Sequence, residues 1–465
     1  MRTVSAVPFS GSLKTHYINR QQKDDTMKTN KHILLGISGG IAAYKSCELV
    51  RLLKKQGHTV QVVMSANART FVAPQVFQAL SGNPVLLDGE THGGHGMAHI
   101  DAVREADLML LAPASANTLA KIANGLADNL LTELAAARSC PLVAAPAMNV
   151  QMWANPANQR NIERLKADGV IFVGPETGEQ ACGEQGPGRM TEAADIAEWL
   201  PDLWSPKPLA GKSVLITAGA NYEAIDPVRG ITNLSSGRMG AAVARACRAA
   251  GAKVTLVYGH LGVPVPAGMA HSEQALSGQE MFDAVFRNIG GKDVFISVAA
   301  VADYKVAKPY AQKIKKADTP AAPVIELAEN LDILQAIAKR PNSDVFCVGF
   351  AAESENLLEN ARAKRKNKGV PMLVANLVED AVGKDSTKIT ILDDEKETEL
   401  PEQNKDQAAR AIVARIASLM MRRKETAAQQ PDTAEAPAPS AKPAAAETAP
   451  VETAETKPAE ESDDA

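Results

Sequence analysis

The sequence predicts an α/β protein of two doubly wound, Rossmann-like domains in tandem, followed by a disordered acidic tail. Three observations carry this. Short aliphatic runs alternate with stretches of helical periodicity, one proline-rich break interrupts the alternation before it restarts, and from residue 424 onward large apolar side chains almost vanish. The 465 residues are 45% hydrophobic but only 4% aromatic, so the cores are built from Ala, Val, Ile and Leu. Length alone suggests roughly two to four domains, and the composition excludes collagen, a coiled-coil rod and a wholly disordered chain.

After Met27, residues 33–37 form an apolar run that ends in Ser38-Gly39-Gly40, and residues 41–56 follow with helical periodicity until Gly57. Strands are expected at 60–64, 108–112, 142–145 and 170–173, with helical stretches between them. Such alternation means a parallel sheet covered on both faces by right-handed crossovers. Three prolines between Pro201 and Pro208 forbid a continued helix and read as an interdomain linker. The pattern restarts with strands at 214–217, 253–257, 294–298, 345–350 and 372–375, a helix at 238–250, an edge strand at 389–392 and a closing helix at 404–421. The expected divisions are 1–26, an extension before a second start-like Met27; 27–205 and 206–423, the two domains; and 424–465, a tail too poor in apolar groups to offset the entropy of ordering.

The formal charge of −4 is uneven: residues 424–465 hold ten acids and three bases, a net −7, which leaves +3 on the body. That body is too weakly charged for general nucleic-acid binding but suits small anionic ligands. Cys47, Cys140, Cys182, Cys247 and Cys347 are odd in number and lack a CxxC pair, which argues against a disulfide framework or structural zinc. No apolar run reaches the ~18 residues of a membrane span, and no secretory h-region opens the chain. A cytoplasmic protein is expected.

Gly36-Ile37-Ser38-Gly39-Gly40-Ile41-Ala42-Ala43-Tyr44-Lys45 joins a strand to a helix. Its glycines allow close backbone approach, and first-turn N–H groups can hold a phosphate. The motif is neither a Walker A loop nor a GxGxxG fingerprint. Pro113-Ala114-Ser115-Ala116-Asn117-Thr118 follows another strand, where small and hydroxyl residues suit a phosphate or flat ring, or simply cap a helix. His92, His95 and His99 cluster among glycines; a metal site, an acid/base at a helix start and plain surface residues all fit. In Pro146-Ala147-Met148-Asn149-Val150-Gln151-Met152-Trp153, Asn149 can hold a carboxylate beside an apolar wall, or serve as a turn residue. Cys182 sits in Ala181-Cys182-Gly183-Glu184-Gln185-Gly186-Pro187-Gly188-Arg189-Met190, a polar glycine-rich loop. It reads as a reactive residue on a flexible flap, whereas Cys47, Cys247 and Cys347 fall in helical or strand patterns as filler.

These four motifs, in order over about 150 residues, resemble the flavin-dependent phosphopantothenoylcysteine decarboxylase family. The resemblance implies bound FMN, with Gly36, Ser38, Gly39, Gly40, Ser65, Pro113, Ala114, Ser115 and Asn117 around the flavin and its phosphate. It implies His99 as acid/base, Asn149 on the substrate carboxylate and Cys182 as proton donor. A regulatory flavin-binding protein with decayed active residues is a rival that His99, Asn149 and Cys182 oppose. A decarboxylase of peptide C-terminal cysteines is a second, which the rest of the chain opposes.

In the second half, Gly230-Ile231-Thr232-Asn233-Leu234-Ser235-Ser236-Gly237-Arg238 opens a helix, and its serines either bind phosphate or cap the helix. Ala299-Ala300-Val301-Ala302-Asp303-Tyr304 follows a strand. Lys313-Ile314-Lys315-Lys316 is one basic cluster; Arg362, Lys364, Arg365, Lys366 and Lys368 form another, in which Lys364 and Lys368 share a helix face. With Asp226-Pro227-Val228-Arg229 and Gly349-Phe350-Ala351-Ala352-Glu353, these motifs resemble the CTP-using phosphopantothenate–cysteine ligase family over about 211–420. The resemblance implies Asn233 acting on an acyl-cytidylate and Lys313 assisting. It implies Ala299, Asp303, Lys313, Asn330, Leu331, Asp332, Ile333, Phe350, Lys364 and Lys368 on CTP, and Mg2+ with ligands unassigned. Ala218-Gly219-Ala220-Asn221 departs from the family's usual loop. Together the halves imply a bifunctional enzyme of coenzyme A synthesis that uses 4′-phosphopantothenate, L-cysteine and CTP. No nucleic-acid or membrane partner is implied. The resemblance also implies a homo-oligomer of decarboxylase trimers joined through ligase dimers.

Overall fold

The computed structural model describes residues 30–89, 98–315, 323–341, 343–381 and 383–429; the expected extension 1–26 and tail past 429 lie outside them. In the first half the strands are β1 (His32–Ile37), β2 (Thr59–Met64), β3 (Leu86–Leu87), β4 (Leu108–Ala114), β5 (Leu142–Pro146) and β6 (Ile171–Phe172). They form a parallel sheet in the order β3-β2-β1-β4-β5-β6. Helices α1 (Lys45–Lys55), α2 (Pro74–Ser81), α3 (Ala98–Arg104), α4 (Ala116–Ala123), α5 (Leu130–Ala137), α6 (Val150–Ala154) and α7 (Pro156–Ala167) are interspersed. Successive strand side chains point to opposite faces, so β1 feeds two cores. Ile33, Leu35 and Ile37 pack with Leu49, Leu53, Phe77 and Ile196, while Leu34 packs with Met109, Leu119, Leu131 and Leu165. A hairpin, β7 (Glu176–Glu179) and β8 (Gln185–Arg189), and α8 (Ala193–Trp199) complete this half.

The second half contains β9 (Ser213–Ala218), β10 (Tyr222–Ala224), β11 (Gly230–Thr232), α9 (Arg238–Ala249), β12 (Lys253–Tyr258), β13 (His271–Gln274), α10 (Gly278–Asn288), β14 (Val294–Ser297), β15 (Tyr304–Val306), β16 (Leu327–Glu329), α11 (Ile333–Ala338), β17 (Phe346–Glu353), α12 (Leu357–Lys368), β18 (Met372–Leu377), α13 (Val378–Ala381), β19 (Ser386–Asp393), β20 (Glu397–Asn404) and α14 (Lys405–Gln429). Its eight-stranded sheet runs β13-β12-β9-β14-β17-β18-β19-β20. Pairing is parallel through β18 and antiparallel at β18–β19 and β19–β20. The expected edge strand at 389–392 is therefore internal. The true edge, Glu-Thr-Glu-Leu-Pro-Glu-Gln-Asn, has no aliphatic run to announce it. The compact unit that holds both sheets extends to Ala417. Among the described residues no helix is long and apolar enough to cross a membrane.

The proline-rich break is only partly a linker. Leu200–Trp204 is a 3-10 helix; Leu200 is fully buried, and Leu203 and Trp204 pack on the first core. Asp202 is buried and accepts from Arg248 Nε of α9 at 2.6 Å, while Arg248 Nη1 reaches Glu198 of α8 at 3.2 Å. Lys207 Nζ donates to the Asp202 carbonyl at 2.5 Å and to that of Ala249 at 2.7 Å. Ionic contacts thus hold the two halves together across the break.

Candidate functional site

In an open parallel sheet, ligands settle beyond the strands' carboxyl ends where strand order reverses. Here that point lies between β1 and β4. The loops leaving both strands are fastened by one buried hydroxyl. Ser38 Oγ donates to Pro113 O at 2.7 Å and accepts from Ser115 N at 2.7 Å. Ser115 then caps α4, its Oγ accepting from Thr118 N at 3.3 Å. Above these loops opens a cleft of about 1110 Å³, lined by Gly39, Gly40, Ser65, Ser115 and Asn117 among others.

Of the nine expected cofactor residues, four do not line it. Ser38 and Ala114 are buried, and a Cβ on Gly36 would stand 2.6 Å from Leu111 Cδ2 and from Leu131 Cδ1. Gly36, Ser38, Pro113 and Ala114 shape the floor from behind. Gly39 is at the cleft, and its lack of a side chain is required: a Cβ there would lie 2.5 Å from Asn67 Cβ and 3.0 Å from the Asn67 backbone carbon.

The opposite wall comes from α6 and the hairpin. Asn149 caps α6, its Oδ1 accepting from Gln151 N at 2.9 Å and Met152 N at 3.2 Å. Asn149 is thus a capping residue, and the capping oxygen leaves the Nδ2 group to bind elsewhere. That group donates to Glu184 Oε2 at 2.5 Å. Met148 and Met152 line the cleft. The loop around Cys182 is not free chain but the turn of the β7–β8 hairpin, closed by Gln180 N donating to Glu184 O at 2.8 Å. Glycines at positive φ and Pro187 hide the strand pattern in the sequence. At Gly188 (φ 139) a Cβ would meet Met148 O at 2.3 Å, so only glycine lets the hairpin lie on the α6 segment. Cys182 is exposed at the cleft, its Sγ 3.6 Å from Glu184 Oε2 and 4.0 Å from Gln180 Oε1.

Sequence reasoning overlooked Glu184, Lys45 and Arg189, although all three stand inside quoted motifs. Lys45 Nζ donates to Glu192 Oε1 at 2.5 Å and to Met190 O at 3.2 Å, and Arg189 Nη2 reaches the same carboxylate at 3.1 Å. Lys45, and secondarily Arg189, holds Glu192 below its ordinary pKa. His99 lies in the first turn of α3. Its side chain, like His92 and His95, is outside the described residues.

The second sheet reverses its order between β9 and β14. There Ala220 bridges His260 and Ala300, and Asn233 Nδ2 donates to Ala300 O at 2.9 Å. Behind these loops, buried Glu223 receives Asn221 Nδ2 at 2.6 Å, Gly278 N at 2.9 Å and Asn330 Nδ2 at 2.7 Å on one oxygen. The departing loop Ala218–Asn221 thus ends in a fully buried asparagine that ties strands together. Asn330, expected on CTP, spends its amide on Glu223, and its backbone N donates to Asp303 O at 2.8 Å.

The Ile333 side chain is buried in the core of this half. Asp332 caps α11 through Gln335 N at 2.9 Å and pairs with Lys368. Lys364 Nζ lies 4.0 Å from Glu353 Oε1. Asp303 and Lys313 are exposed; Ala299, Leu331 and Phe350 are half-buried. The segment with Lys313 is anchored next door, where Ile314 N donates to Asp226 Oδ2 at 3.2 Å and Arg229 Nη2 donates to Ile314 O at 2.9 Å. The Arg229 guanidinium holds the Asp226 carboxyl far below the usual carboxylate range.

Residues 21–203 match the flavoprotein family, and residues 209–420 match the DNA/pantothenate metabolism flavoprotein C-terminal domain. A flavoprotein half with a thiol at its cleft, fused to a pantothenate-metabolism half, is the class that fold and site define. The coenzyme A biosynthesis bifunctional protein CoaBC of Vibrio vulnificus (strain YJ016) is 44% identical over 396 residues, covering 84% of this chain and 98% of that protein. The CoaBC protein of Bacillus subtilis (strain 168) is 39% identical over 401 residues, with the same coverage of 84% and 98%. A solved C-terminal domain of a CoaBC protein is 35% identical, covering 46% of this chain and 98% of that one, with a TM-score of 0.40. The chain belongs to the CoaBC family of coenzyme A biosynthesis bifunctional proteins. It is a bifunctional enzyme, a decarboxylase and a ligase.

Proposed function

We propose that residues 206–423 ligate L-cysteine to 4′-phosphopantothenate with CTP, through an acyl-cytidylate, and that residues 27–205 decarboxylate the product to 4′-phosphopantetheine with FMN. The observation that carries the decarboxylase assignment is the convergence of Asn149 and Cys182 on one wall of the cleft, opposite the Ser38-fastened loops.

The cleft fits a flavin. Gly39 and Gly40 open its floor to a flat ring, Met148 and Met152 supply an apolar wall, and Ser115 at the start of α4 suits the phosphate. FMN, when bound, supplies the two-electron oxidation that turns the cysteinyl carboxylate into a leaving group, and the later return of hydride. The chain's own residues do the rest. Asn149 orients the carboxylate, His99 serves as acid/base, and the Cys182 thiol gives its proton to the carbon that has lost carbon dioxide. Gly39→Ala pushes backbone against Asn67, an overpacking of about 1–3 kcal/mol. Purified protein is expected to lose more than half its visible flavin absorbance per chain.

For the ligase, Asn233 acts on the acyl-cytidylate and Lys313 assists its formation. Asp303, Leu331, Phe350, Lys364 and Lys368, with the backbone of 330–333 and Ala299, receive CTP. Among the described residues no group of three His, Cys, Asp or Glu could hold a metal ion. Magnesium would be held chiefly by the nucleotide phosphates. The chain works in the cytoplasm as a homo-oligomer, trimeric through its decarboxylase and dimeric through its ligase.

The test is a reconstituted assay with phosphopantothenate, cysteine, CTP and magnesium that follows CMP and phosphopantetheine. CMP release should require both phosphopantothenate and cysteine. A colourless protein that cannot be reconstituted with FMN overturns the decarboxylase assignment.

A further inference from the structure

Glu184 stands where a substrate carboxylate would be expected. Its Oε2 accepts at 2.5 Å from Asn149 Nδ2, the group proposed to hold the carboxylate of phosphopantothenoylcysteine. Its Oε1 accepts from Gln151 Nε2 at 3.1 Å, from the first turn of the helix that Asn149 caps. The same Oε2 is 3.6 Å from Cys182 Sγ. One half-buried carboxylate thus occupies the anion-binding amide and sits beside the thiol.

The placement is built into the fold. Glu184 O accepts from Gln180 N at 2.8 Å, which closes the hairpin turn, and Gly183 N donates to Gln180 O at 2.8 Å. Gly188 O accepts from Met148 N at 3.0 Å and pins the hairpin to the residue before Asn149. The Asn149 Oδ1 is committed to the helix cap, so the amide does not flip and its Nδ2 stays directed at Glu184.

We propose that Glu184 is an internal surrogate for the substrate carboxylate: it occupies Asn149 when the cleft is empty and must yield that amide for substrate to bind. The proposal rests on the reading that Asn149 receives the substrate carboxylate. Two carboxylates drawn to the one Nδ2 nitrogen would sit side by side and repel each other, so binding is an exchange. A ligand without a carboxylate has no quarrel with Glu184 and can bind while the Glu184–Asn149 contact remains. Glu184 is therefore a positioning residue whose contact weakens carboxylate-bearing ligands selectively.

The test uses the full-length flavin-loaded protein and two matched probes that lack a thiol and so cannot be turned over. These are phosphopantothenoylserine, which bears the carboxylate, and phosphopantothenoylethanolamine, which does not. Each is titrated by flavin absorbance change against the parent, Glu184→Gln, Glu184→Ala and Asn149→Ala. The apparent dissociation constant is the intrinsic one divided by the fraction of protein in the competent state. Freeing Asn149 is therefore expected to tighten phosphopantothenoylserine by about 5–10-fold and to leave phosphopantothenoylethanolamine within about twofold. A purely structural role for Glu184 would weaken both probes in both variants, and that result overturns the proposal. No change in either probe, while Asn149→Ala weakens the serine probe alone, also overturns it and leaves the Asn149 reading intact. If Asn149→Ala leaves the serine probe unaffected, the Asn149 reading fails and the proposal with it. Two substitutions at position 184 keep the outcome readable should one variant not fold.

Discussion

Cys182→Ser is expected to cut phosphopantetheine formation by about 10²–10⁴-fold, the range for loss of a positioned general acid, while CMP release from the ligase half stays at the parent level. The substitution is sterically small and the side chain is exposed. The turn around it is held by backbone bonds from Gln180 and Gly183, which do not involve the thiol. Loss of activity would then be chemical and not a failure to fold. A serine hydroxyl is a far weaker acid than a thiol, so carbon dioxide can still leave but the resulting carbanion equivalent lacks its proton. Following CMP, carbon dioxide and phosphopantetheine in one reaction separates the three events. An unchanged phosphopantetheine yield removes Cys182 from this role.

Glu223→Ala is expected to destabilise the second half by about 3–5 kcal/mol, because it strands buried donors that one carboxylate oxygen now satisfies. Those donors are Asn221 Nδ2, Gly278 N and Asn330 Nδ2. The loops they belong to run from the end of β9, the start of α10 and the approach to α11, so the cost falls on the ligase half. Thermal inactivation of CMP release should move down by about 10 °C, while bound flavin is retained to the parent temperature. Simultaneous loss of flavin and ligase would show that the network also supports the first half.

Much of the two sheets was legible because their strands are aliphatic runs bounded by glycine or polar turns, as at β1, β4, β9 and β14. β20 was not, since Glu397, Glu399, Pro401 and Glu402 give it the composition of a loop and its place depends on pairing with β19. The β7–β8 hairpin was hidden for the opposite reason: its strands contain Gly178, Gly186, Pro187 and Gly188, which read as flexibility but permit contact with Met148 and Val150. At the sites, residue type and order pointed to Gly39, Ser115, Asn149 and Cys182. They could not distinguish lining from support. Ser38 looks like Ser115 in the sequence, yet it lies beneath the cleft because both its bonds go to the chain 75 or 77 residues on. Asn330 reads as a ligand amide, but its partner Glu223 is 107 residues away and carries no local signal. Long-range pairing of polar side chains is the information a single sequence does not display.

The prolines between residues 201 and 208 would ordinarily mark a swivel between independently moving parts. Instead the guanidinium of Arg248 reaches Glu198, which precedes that break, and Asp202 within it. Rotation about the joint would have to break both of these pairs, so the break resists swivelling more than its prolines alone suggest.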